Sequence, residues 1–94
     1  MPLFVTEHTH PADRCPAHNP QMASGLLAII HGAGSAGIKI HGDAVTNKQH
    51  HLYIILEAPS EEAVRKYFAP FAQMGTLSVN PASHCEEVVA RGAC

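Results

Sequence analysis

The chain has 94 residues, a formal net charge of −2 and only 15% charged residues. That length fits one domain and leaves little room for a second. The absence of a basic patch argues against nucleic acid, and no run reaches the roughly 18 apolar residues of a membrane span. The three cysteines, Cys15, Cys85 and Cys94, are an odd number and form no disulfide framework, and the compositional outlier is histidine, with eight residues.

Along the chain, Leu3 to His10 reads as a strand stopped by Pro11. A loop follows to His18, and Asn19-Pro20 presents a helix cap with proline at the first helical position. Met22, Leu26, Ile29 and Ile30 keep the spacing of one helical face, and the glycine-rich run from Gly32 to Gly37 ends that helix. Ile38 to Val45 is a second strand, Thr46 to Gln49 a hairpin turn, and His51 to Glu57 a third and strongly apolar strand. Ser60 caps a second helix with Glu61 and Glu62 in its first turn. Its buried stripe is Val64, Tyr67, Phe68 and Phe71, with a kink expected at Pro70 and an end at Gly75. Thr76 to Asn80 is a fourth strand. Ser83-His84-Cys85-Glu86 has the form of a capping box, predicting a short final helix in a C-terminal extension, 83–94.

The elements predict an α+β domain over 1–94, with a four-stranded antiparallel sheet, two helices on one face and a short C-terminal helix. The order strand-helix-strand-strand-helix-strand, over residues 3 to 82, resembles the ferredoxin-like dimeric α/β-barrel superfamily, especially its small, mostly uncharacterised single-domain members. The resemblance implies a homodimer in which two sheets pair through their open faces, with ligands inside the barrel or between sheet and helices. The superfamily holds cofactor-free monooxygenases, isomerases and haem-binding enzymes, so the fold does not name a reaction, and whether this chain is an enzyme stays open. The N-terminal residues lack the pattern of a secretory signal, so a cytoplasmic location is expected.

Alternation divides the strand residues between two faces. Leu3, Val5, Ile38, Ile40, Leu52, Ile54, Leu56, Leu77 and Val79 are expected to meet the helices, which also turns Glu7 inward. The other set, on the open face, includes His8, His10, His41, His51 and Tyr53. With strand order 4-1-3-2, His8 and His10 approach His51.

The stretch from His8 to His18 reads H-x-H-x4-C-x2-H. Two histidines two apart on a strand point the same way, and a C-x2-H turn offers a thiolate and an imidazole. His8, His10, Cys15 and His18 are therefore candidate ligands for a transition metal ion: zinc first, with copper, nickel or iron also compatible. The spacing is not that of a standard zinc finger. Any single histidine can equally be a surface or hydrogen-bonded residue, and His31, His50 and His84 are assigned such structural roles. A second reading is an enzyme of the monooxygenase type, cofactor-free or haem-dependent, with His41, His51 and Tyr53 lining its pocket. A third is a non-catalytic, pH-sensitive dimeric module. Cys85 falls at the sheet end away from His8, so it or Cys94 reaches such a site only across a dimer interface.

Overall fold

The computed structural model describes residues 1–94. Its strands are β1 (Leu3–Thr9), β2 (Lys39–Val45), β3 (His51–Glu57) and β4 (Thr76–Ala82). Its helices are α1 (Pro20–His31), α2 (Glu61–Tyr67), α3 (Ala69–Gln73) and α4 (Cys85–Arg91). The sheet order is β2-β3-β1-β4 and every neighbouring pair is antiparallel. The α+β class and the strand order expected from the sequence are therefore present, in an arrangement compatible with a ferredoxin-like fold.

The helix starts follow from local chemistry. Asn19 Oδ1 accepts from the Gln21 and Met22 backbone N–H groups at 3.0 and 3.2 Å, and Pro20, which has no N–H to satisfy, opens α1. Ser60 Oγ accepts from Ala63 N at 3.1 Å at the head of α2. The kink expected at Pro70 is a complete break: α2 ends at Tyr67 and Pro70 sits in the first turn of α3. A proline ring there would clash with the carbonyl four residues back, so the helix restarts instead of bending through. At α4 the capping residue is His84, without a side-chain cap, and not Ser83. The Ser83 hydroxyl instead accepts from Arg91 Nη1 at 3.1 Å.

One face of the sheet is covered. Leu52, Ile54 and Leu56 of β3 and Val79 of β4 pack with Ile30 of α1, Val64 of α2, Phe68 and Phe71. In β1 the faces are the reverse of those expected. Phe4, Thr6, His8 and the following His10 are buried, while Leu3, Val5, Glu7 and Thr9 lie on the open side. The Leu3-Phe4-Val5 triplet is apolar in both phases, so alternation within β1 does not decide. Pairing decides: Phe4, Thr6 and His8 stand opposite Leu56, Ile54 and Leu52, all on the core side of β3. The opposite phase would bury the Glu7 carboxylate, and a neutral imidazole is far cheaper to bury than a charge.

Gly75 makes the corner before β4 possible. A Cβ at this position would stand 2.0 Å from the Thr9 carbonyl oxygen and 3.0 Å from the His10 Cα. Only glycine lets the chain pass so close to the end of β1, which is where the candidate site begins.

Candidate metal centre and adjoining cavity

Three segments converge just beyond the end of β1. The first is His10, which follows Thr9 and stays in register: its backbone N–H donates to the His50 carbonyl at 3.2 Å. The second is the hairpin between β2 and β3, where a Gln49 N–H to Thr46 carbonyl bond (3.2 Å) and a left-handed Lys48 (φ 62°) turn the chain and deliver His50. The third is the strap between β1 and α1. It consists of two short 3-10 turns, Ala12–Arg14 and Pro16–His18, with half-buried Cys15 at their junction. Pro16 is buried and fixes the strap to the body of the fold.

His10, Cys15 and His50 each offer a ligand atom, and these atoms lie within 4.8 Å of one another. His10 Nε2 and His50 Nδ1 are 3.2 Å apart, with the two rings edge-on. Two nitrogens bound at about 2.0–2.1 Å in a tetrahedral shell stand about 3.3 Å apart, so the imidazoles already have that spacing. An edge to a thiolate is about 3.6 Å, so with every separation within 4.8 Å the strap needs to close by no more than about 1 Å.

Burial conditions the histidines. His8 is 1% exposed, lies tilted against Phe71 (ring centroids 5.2 Å), and neither of its ring nitrogens has a hydrogen-bond partner. Its pKa is lowered chiefly by burial, an effect the nearby Phe71 backbone offsets only in part. His10 is 7% exposed and its Nδ1 is likewise without a partner. Burial lowers its pKa first, and the neighbouring His8, His50 and His51 lower it further. Both rings are thus held neutral, the form that ligates metals.

A cavity of about 310 Å³ adjoins the group. His8, His10 and Cys15 form part of its wall, and Leu26, Val45 and Leu52 are among the apolar residues that form the rest.

Of the four ligands expected from the sequence, the structure brings His10 and Cys15 together. It places His8 beside them, 5.4 Å from His10 between ring centroids, and leaves His18 exposed outside the group. His50, assigned a turn role on sequence grounds, is the residue that joins them. The signal for it lay in the register: Thr9 pairs with His51, so one step further His10 meets His50.

The open face carries a different set. Nδ1 of His51 lies 3.0 Å from Thr9 Oγ1 and 3.2 Å from Glu7 Oε1, and the Tyr53 hydroxyl donates to the same carboxylate oxygen at 3.5 Å. Glu7 therefore faces outward, not toward the helices. His41 occupies the irregularity between Ile40 and Gly42 in β2, and its Nε2 lies 2.7 Å from Glu57 Oε2. That hydrogen bond lowers the Glu57 pKa. Glu57 is six residues along β3 from His51, or about 20 Å. The structure thus brings His51 and Tyr53 together and places His41 at the far end of the face. Cys85 and Cys94 are exposed, and Cys85 follows a strand whose Ala82 pairs with Leu3, at the end of β1 opposite His10. No helix is long and apolar enough to cross a membrane.

No curated protein matches the chain. The family model of DUF3303, a domain of unknown function, matches residues 2–93. With almost every residue inside that match, from β1 through α4, the chain belongs to the DUF3303 family.

Proposed function

We propose that this protein binds a transition metal ion through His10, Cys15 and His50. The observation that carries the reading is the convergence of two imidazoles and a thiol from three separate segments, with the two nitrogens already at a tetrahedral edge distance. Zinc fits a set of nitrogen and sulfur donors, and copper is the alternative that two histidines and one cysteine also suit. His8 supports the group from the adjoining wall. Elemental analysis of tag-free protein tests this: one zinc or copper per chain is expected, lost in the Cys15→Ala, His50→Ala double variant. Metal-free wild-type protein that takes up no added zinc or copper contradicts it.

The contact of Glu7 with His51 favours a second reading, an enzyme of the dimeric α/β-barrel kind. A carboxylate on Nδ1 orients the imidazole and leaves Nε2 as the acceptor, an arrangement suited to a general base, with Tyr53 alongside. Exposed Tyr53 and Ile55 support pairing of two copies through this face. Sedimentation checks the assembly: the wild-type chain is expected to be a dimer that Ile55→Asp splits, and a wild-type monomer at all concentrations contradicts it. A haem Soret band in the purified protein would move the assignment from the metal group to this face.

A further inference from the structure

We infer that the metal centre takes a small ligand with a hydrocarbon body and one anionic donor atom, a short-chain carboxylate or thiolate, seated in the cavity beside it. This rests on the metal reading of the preceding subsection and extends it to what the bound ion would hold.

The first argument is the donor count. Structural zinc sites are closed by four protein ligands, whereas sites with three keep a position for water or substrate. Here three side chains converge. His18, which could have supplied a fourth, is turned out to solvent.

The second argument is location. Two of the three donor residues, His10 and Cys15, are part of the cavity wall, so an ion held by them borders that space. The rest of the wall is hydrocarbon, including Ala23, Leu26 and Leu27 from α1, Val45 from β2 and Leu52 from β3. Leu27 and Val45 are about half exposed and stand where the cavity meets solvent, so a ligand has a way in.

The third argument is size and charge. The volume of about 310 Å³ lies at the lower end of the range for small-molecule sites. It corresponds to roughly ten water volumes, which suits a chain of six or so carbons and excludes a large cofactor. A divalent ion carrying one thiolate keeps one positive charge. In a cavity with this wall, an anionic donor neutralises that charge and the hydrocarbon body meets the leucines. The lining exposes no polar atom of its own: His8 is part of the wall, but its two unpartnered nitrogens are buried away from the space.

Cobalt(II) in place of zinc makes the site visible. The full chain is loaded with cobalt, its stoichiometry is measured, and its d–d absorption is titrated with hexanoate, hexanethiol, acetate and ethanethiol. The six-carbon probes are expected to change the spectrum saturably and to bind tighter than their two-carbon counterparts by about tenfold for each two methylenes buried. Ala23→Phe fills the cavity from α1, and Val45→Phe fills it from its mouth. Either variant should keep one cobalt per chain and lose at least the chain-length preference; the second keeps the test in force where the first does not fold. Full cobalt binding with equal affinity for short and long probes overturns the inference alone. Full cobalt binding with a chain-length preference that survives both variants does the same. Failure to bind cobalt, zinc or copper overturns the metal reading and this inference together.

Discussion

The two faces of the sheet treat histidine in opposite ways. On the open face each imidazole has a carboxylate: His51 meets Glu7 at 3.2 Å and His41 meets Glu57 at 2.7 Å. On the covered face, His8 and His10 have no carboxylate, and three of their four ring nitrogens have no hydrogen-bond partner. An exposed pair of this kind contributes little to stability because water screens it. A buried imidazole nitrogen without a partner is costly, and the proposed metal reading gives a reason for keeping three of them beside a thiol. The proposed metal reading puts the chemistry on the covered side, although the open face holds the more familiar acid–base pairs.

The change with the largest expected effect disturbs both faces at once. Gly75→Ala forces a Cβ onto the Thr9 carbonyl and pushes β4 away from the end of β1. A loss of more than about 3 kcal/mol is expected in denaturant unfolding, of the size reserved for severe steric conflicts. Near-native stability would show that the corner relaxes freely.

Next come variants that separate the faces. Cys15→Ala should weaken zinc binding by at least about 100-fold, since it removes the one charged donor to the ion, while His51→Ala should leave zinc affinity unchanged. Competition with a chromophoric chelator measures both. Equal losses in the two variants would erase the distinction between the faces.

The pH response sharpens the same distinction. His8 and His10 have lowered pKa values in the folded protein, against about 6.5 when unfolded. Above that value both states are neutral and stability is fully present. As pH falls below it, the unfolded chain takes up protons that the folded one resists, so stability is lost until the lowered folded values are reached. In chelator-treated protein the melting temperature should therefore fall between pH 7 and pH 5, and His8→Leu should reduce that fall. An unchanged fall in the variant would remove His8 from the account. The smallest effect is expected of Glu57→Gln. Its carboxylate is partly exposed, and losing the His41 contact should leave the melting temperature at neutral pH and the zinc affinity where they were.

These residues also show how far the sequence was readable. Asn19-Pro20 and Ser60 marked the helix starts because capping is local chemistry, and β3 showed its faces because Leu52, Ile54 and Leu56 alternate with His51, Tyr53 and Glu57, Ile55 being the one apolar residue out of phase. In β1, apolar residues occupy both phases of Leu3-Phe4-Val5, so the face of His8 and His10 depended on pairing with β3, a non-local fact. The same pairing hid His50. A motif read along the chain finds His8, His10, Cys15 and His18, whereas the hairpin brings His50 to His10 across 40 residues. The Pro70 break and the loss of the Ser83 cap were smaller departures: the proline ring restarts the helix, and the Ser83 hydroxyl is engaged by Arg91 instead.

The exchange of His18 for His50 gives the most direct test of the central claim. Zinc titration of apo protein by calorimetry should give one site per chain, retained in His18→Ala and lost in His50→Ala. Loss in His18→Ala with retention in His50→Ala, or no site in the wild-type chain, would contradict the metal centre proposed at His10, Cys15 and His50.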